Sequence, residues 1–258
     1  MRVILADGPN QQPIPIDGGA LRVTTVPMAQ AVALGLVTDF DPVVLTGSNA
    51  DVDATAEGVW SPGGAMAFPA AAAGMELVSS DAKDDGDPAG VGARTVRVHY
   101  LDADYEPQTE DVTLNGVTAV ATVADDILRV NRLEVLTVGS EGDPAGAIDI
   151  RALADTPIYE QIPAGVNESR GAKYTVPAGF VLVVTDLFIS TDVAAVVTVQ
   201  SDLTVQQELF RFSAAVGNTL LQPPALVIGE TEDVWLEAAC AAGNGVVTAK
   251  LWGYLRPA

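Results

Sequence analysis

The chain has 258 residues, of which 48% are apolar, and its 34 acidic against 13 basic residues leave a formal net charge of −21. That apolar content excludes wholesale disorder and supplies two domains of ordinary size, while the acid excess disfavours direct contact with nucleic acid, which needs Lys and Arg against phosphates. A single cysteine, Cys240, rules out an intrachain disulfide and a cysteine-based zinc site.

Along the chain, residues 1–54 hold Pro9, Pro13, Pro15, Gly18 and Gly19 and no sustained hydrophobic period, so they read as an extended N-terminal arm. Their first twenty residues lack a basic segment followed by an apolar one, so no signal peptide is expected and assembly in the cytoplasm fits. A short helix is expected over 28–34.

Residues 55–153 read as a first β unit. In 95–101, Val96, Val98 and Tyr100 share one face and Thr95, Arg97 and His99 the other, the period of a half-buried strand. Residues 111–114 alternate in the same way and end in Asn115-Gly116, which predicts a hairpin with 117–123 as its return strand. A helix over 124–131 and strands over 133–138 and 147–151 complete the unit.

Ala154-Asp155-Thr156-Pro157 reads as a linker into a second unit, 158–258. There Tyr174-Thr175-Val176-Pro177-Ala178-Gly179 enters the nearly continuous apolar run 180–190. Such a run predicts a strand buried on both faces, inside a sandwich or against a neighbouring subunit. The run is broken by Thr185 and Asp186 and is too short to cross a bilayer, so no membrane partner is expected. Strands follow over 193–200, 208–214, 234–239 and 246–254. The pattern predicts a mainly β protein of antiparallel β-sandwich or jelly-roll units behind an extended arm.

Chemistry-bearing residues are few. The one histidine, His99, reads as a surface strand residue, and Cys240 lacks basic neighbours and reads as a small buried hydrophobe. Asp81, Asp84, Asp85 and Asp87 around Gly86 could offer hard oxygen ligands to Ca²⁺, but the spacing lacks the later bidentate Glu of an EF-hand, and a solvated turn is the favoured reading. The acid groups Glu110–Asp111, Asp125–Asp126 and Glu230, Glu232, Asp233 are what an acidic chain produces by chance, although a glycosidase also needs two carboxyls. Sugar-stacking tryptophans are limited to Trp60, Trp235 and Trp252, and neither a Walker pattern nor a dinucleotide fingerprint is present. No catalytic residue, cofactor or cofactor-binding residue is assigned.

Two stretches carry a resemblance. The first runs Ser79-Ser80-Asp81, Asp84, Asp87, Gly90, Gly92-Ala93-Arg94-Thr95-Val96, Leu114-Asn115-Gly116-Val117 and Arg129-Val130-Asn131-Arg132; the second is Tyr174-Thr175-Val176-Pro177-Ala178-Gly179. In that order they resemble β-rich virion structural proteins of tailed, often marine, bacteriophages, over about residues 59–190. The matching features are turn and strand signatures. The resemblance implies a non-enzymatic component of the virion, made in the host cytoplasm, that forms a homotrimer or higher oligomer. It also implies contact with other virion proteins such as the major capsid protein, and it transfers no site residue. A capsid decoration or head-surface protein attached through residues 1–54 is the leading expectation. A tail fibre or spike module binding a host receptor or glycan through Trp235, Trp252 or Tyr254 is the alternative, and a carboxylate glycosidase the third.

Overall fold

Among the described residues of the computed structural model, 28–202, 207–222, 226–241 and 244–258, the alternating patterns become seventeen strands and one six-residue helix. The helix α1 (Met28–Ala33) precedes β1 (Asp41–Val52) and β2 (Glu57–Gly58). Then come β3 (Met75–Ser79), β4 (Ala93–Leu101), β5 (Pro107–Thr113), β6 (Val120–Ala121), β7 (Arg129–Val138), β8 (Ile148–Ala152) and β9 (Ile158–Ile162). The chain ends with β10 (Lys173–Thr175), β11 (Phe180–Thr191), β12 (Ala195–Ser201), β13 (Gln207–Ala214), β14 (Gly217–Leu221), β15 (Leu226–Ile228), β16 (Asp233–Cys240) and β17 (Gly245–Pro257).

Strand pairing sorts these into two sandwiches. One is built from both ends of the chain: a sheet ordered β1-β17-β11-β14, with β15 also on β11, faces a sheet ordered β10-β16-β12-β13, with β2 also on β16. Strand β16 meets Thr175, Tyr174 and Lys173 and then Gly58 and Glu57, so β2 and β10 are two pieces of one interrupted strand. Likewise β14 and β15 lie in line along β11. The ten strands thus fill eight positions, ordered 1-8-3-6 and 2-7-4-5, and every neighbouring pair is antiparallel. This is a jelly roll. Its interior is closed by inward aliphatic residues such as Leu182, Val184, Leu187 and Ile189 of β11 against Val197, Val199 and Leu236. Each of the larger ones contributes about 1.5–3 kcal/mol by leaving water.

The second sandwich is spliced into the interrupted strand. Sheets β6-β3-β8-β9 and β5-β4-β7 enclose a separate core that includes Leu77, Val96, Val98, Leu133, Ile148 and Ile150. The expected strand over 95–101 is β4, with Val96 and Val98 inward and Arg97 and His99 outward.

Several boundaries differ from those the sequence suggests. Of the expected arm, residues 1–27 lie outside the described residues, and 41–52 form β1, paired along its length with β17. The inward positions of β1 include Gly47 and Asn49, which hide its apolar period. A Cβ on Gly47 would lie 2.2 Å from the Val59 carbonyl oxygen, and Asn49 is buried by donating to the Gly58 carbonyl at 3.1 Å. Strand β9, expected to open the second unit, pairs with β8, so 154–157 is the turn of a hairpin inside the spliced sandwich. Asn115-Gly116 does turn the chain, but β6 crosses to β3 in the other sheet instead of returning along β5. Residues 124–131 are not helical, because Ile127 is fully buried and bridges Ala73 while Arg129 opens β7. No described helix is long and apolar enough to cross a membrane.

Candidate functional site

The junction of the two sandwiches gathers Glu160, Lys173 and Asp233, three of the four buried charged residues among those described, beside the half-buried Arg129. Strand β7 projects Arg129 towards β16, where its Nε donates to both carboxylate oxygens of Asp233 at 2.9 and 3.0 Å. Thr175 Oγ1 also donates to Asp233, and the Asp202 carboxylate accepts the Asp233 amide at 2.8 Å. Two residues further along β7, Asn131 exchanges two hydrogen bonds with Thr175: Asn131 Nδ2 donates to the Thr175 carbonyl at 2.9 Å and Asn131 Oδ1 accepts the Thr175 amide at 2.8 Å. The Ala178 amide donates to the Tyr105 carbonyl at 3.1 Å. These bonds set how the spliced sandwich sits on the jelly roll.

Beside them lies Lys173, which shares the outer face of its sheet with its cross-strand partner Trp235 and is buried against Tyr159 and Glu160 of the spliced sandwich. Its Nζ donates to the Tyr159 carbonyl and lies 3.9 Å from Glu160 Oε2, an oxygen that has no hydrogen-bond partner. Burial pushes the Glu160 carboxyl up and the Lys173 amine down, so each resists carrying its charge more than it does in water. Trp60 and Phe68 rings sit 5.4 and 5.3 Å from Lys173 Nζ and offer their faces to whatever charge remains.

Above the junction opens a cleft of about 720 Å³, lined by Asp41–Thr46 of β1, Tyr174, His99–Leu101 of β4 and Arg132. His99 Nε2 is 3.2 Å from Glu134 Oε2, so its partner is a carboxylate and not a hydroxyl or thiol. Burial draws the His99 pKa below its ordinary value against the pull of Glu134, and burial also raises the Tyr174 phenol. The lining offers hydrogen-bonding edges, and His99, read from the sequence as a surface strand residue, is engaged by the Glu134 carboxylate.

The Ca²⁺ candidates Asp81, Asp84, Asp85 and Asp87 point in different directions. Asp84 turns inward with no exposed surface, and its carboxylate accepts the Ser79 hydroxyl at 2.6 Å and the amides of Ala93, Ala145 and Gly146 at 2.7, 2.8 and 2.9 Å. Gly92 permits this approach, since a Cβ there would lie 2.1 Å from Asp84 Oδ1. Asp81 and Asp85 accept amides of their own turns, from Lys83 and Asp87. No cluster of three or more metal-ligating side chains occurs among the described residues. Four donors to one buried carboxylate make Asp84 a pin joining two loops, a role that four acids within seven residues do not announce.

The remaining candidates are dispersed. Cys240 is buried, and burial first, then the Asp192 and Glu57 charges, raise its thiol. Glu110 accepts the Val123 and Ala124 amides, Asp111 pairs with Arg97, and Glu230 and Glu232 accept the Gly179 and Gly229 amides. Trp60 and Trp235 are buried, whereas Trp252 and Tyr254 face outward from β17 and are partly exposed. The half-buried Arg129 and the buried Glu160, Lys173 and Asp233 were not singled out as a group, because Lys173 alternates with the core-facing Tyr174 and Val176 and reads as a solvent-facing position.

No family model and no curated protein matches the chain. Chains in structures of infectious bursal disease virus align with it. The Gt strain does so at 13% identity over 90% of this chain and 78% of that one, with a TM-score of 0.20. The Gx strain does so at 11% identity over 85% and 77%, with a TM-score of 0.21. Superpositions at that level carry no weight for fold or role, and the jelly roll stands on strand pairing.

Proposed function

We propose that the chain is a non-enzymatic structural protein of a virion. Within that class we assign it to the head surface of a tailed bacteriophage, as a decoration protein that stabilises the shell through contacts between copies and with the major capsid protein. The observation that carries the reading is the strand order, an eight-position jelly roll with a second sandwich spliced into one strand and held by the buried Arg129–Asp233 pair. Jelly rolls serve shells because two closed sheets make a rigid block with short edges and loops gathered at the ends. The spliced sandwich adds a second rigid body without a free linker. The virion resemblance in the sequence points the same way. The fold is shared with lectins and cupins, so the test must locate the protein. Cryo-electron microscopy of particles that carry the chain should show paired sandwich density on the head. Density confined to the tail, or a particle without it, would overturn the assignment.

A further inference from the structure

The run 180–190 is apolar on both faces, yet the jelly roll covers only one. Leu182, Val184, Leu187 and Ile189 point into the core, while Val181, Val183 and Phe188 point out of the sheet and stay partly exposed. The register continues this outward row across all four strand positions. Pro42 stands opposite Tyr254, Tyr254 opposite Val183, and Val183 opposite Val227. In the neighbouring row Val44 faces Trp252, and further on Lys250 faces Phe188, which faces Leu220. Val44, Val227 and Leu220 are 55%, 49% and 63% exposed. Of the described residues before β1, α1 packs beside β1 and β17 and the Phe40 ring lies 5.7 Å from Tyr254, while Val44 stays exposed.

The charge of the face identifies its occupant. Outward positions of these strands hold two acids, Asp186 and, at the bulged end of β1, Asp51, and two bases, Lys250 and Arg256, in a chain of net charge −21. Two copies of so acidic a molecule repel each other over most approaches, and like charges brought together at a contact add to that cost. A contiguous apolar face free of that repulsion marks an interaction surface. By contrast, the outward side of the other jelly-roll sheet is occupied by polar groups already bonded within the chain: Gln200 to Thr198 and Glu237, and Trp235 Nε1 to Glu237.

We infer that the outer face of the β1-β17-β11-β14 sheet is the surface through which one copy of this chain binds a second copy. This rests on the assembly reading above and names the contact that reading requires. A two-fold pairing of the face with itself brings apolar rows together with no acid cluster opposed.

The test is sedimentation velocity of the full chain over a range of concentration, with Leu220→Asp, Val44→Asp and a control, Val123→Asp, at a 92% exposed site on the spliced sandwich. The native chain and the control should sediment above the 26.6 kDa monomer, and each face variant should weaken association at least about tenfold. Thermal melts by circular dichroism equal to native show that the variants fold, and two variants on opposite edge strands guard against one that does not. Association that is undiminished in both folded face variants overturns this contact and leaves the assembly reading standing. A native chain that stays monomeric overturns both. A photo-crosslinker placed at position 220 of the full chain should capture the same face of another copy; capture of residues 1–27 instead makes that segment the occupant and overturns the inference.

Discussion

The two sandwiches are similar in architecture and closed by different means. The jelly roll takes strands from both ends of the chain and fills its interior with Leu, Val and Ile from β11, β12, β16 and β17. The spliced sandwich has an aliphatic core too, but the loops at one end are held by the carboxylate of Asp84. An aliphatic interior tolerates swaps that conserve volume, because its cohesion is spread over many contacts. A buried carboxylate with four donors concentrates cohesion in one group, and each donor left without it has no water to turn to.

The sharpest way to break the comparison is Asp84→Ala. It strands the Ser79 hydroxyl and three amides and should cost about 4–5 kcal/mol in chemical denaturation, whereas Ile189→Val in the jelly-roll core should cost about 1 kcal/mol. Equal losses would show that the pin is not what closes the spliced sandwich.

Next in size is the junction. Arg129→Met leaves the Asp233 carboxylate buried with its main partner gone and should cost about 3 kcal/mol. Differential scanning calorimetry should then resolve two transitions where the native chain shows one. A single undivided transition would mean that the sandwiches are coupled by other bonds.

Lys173→Met should destabilise by about 2–3 kcal/mol, because Glu160 keeps its burial and loses the nearby amine. The double change Lys173→Met with Glu160→Leu should recover most of that loss, since two apolar groups need no partner. A double variant as unstable as the single one would show that the pair fixes the junction geometry.

The smallest effect belongs to the cleft rim. The folded-state pKa of His99 lies below its unfolded value, so the folded protein binds fewer protons there. The stability this contributes is present above the unfolded value of about 6.5 and is lost as pH falls through the folded value. The stability difference between native chain and His99→Gln should therefore shift slightly between about pH 7.5 and pH 5, with the native chain losing ground as pH falls. A parallel pair of pH curves would place the imidazole in water in both states.

Much of the strand content was legible because a half-buried strand writes its burial into a period of two, as in Val96-Arg97-Val98-His99-Tyr100. The run 180–190 was legible further, since its apolar residues on both sides already asked for two covers. Strand β1 was not, because Gly47 and Asn49 take inward positions for reasons of close approach and hydrogen bonding that no local period encodes. The direction of Asp84 was equally hidden, since two of the three amides that donate to it, those of Ala145 and Gly146, lie 61 and 62 residues further along the chain.

What the residues determined by themselves was the β class, the scarcity of chemistry-bearing side chains and the two-sided apolarity of one strand. Which strands share a sandwich, that Glu57–Gly58 and Lys173–Thr175 are halves of one strand, and that a lysine and a glutamate meet inside were decided only by the tertiary structure. Periodicity reports whether a side chain faces in or out, while pairing between distant strands depends on backbone hydrogen bonds that every residue but proline can offer, so composition does not specify it.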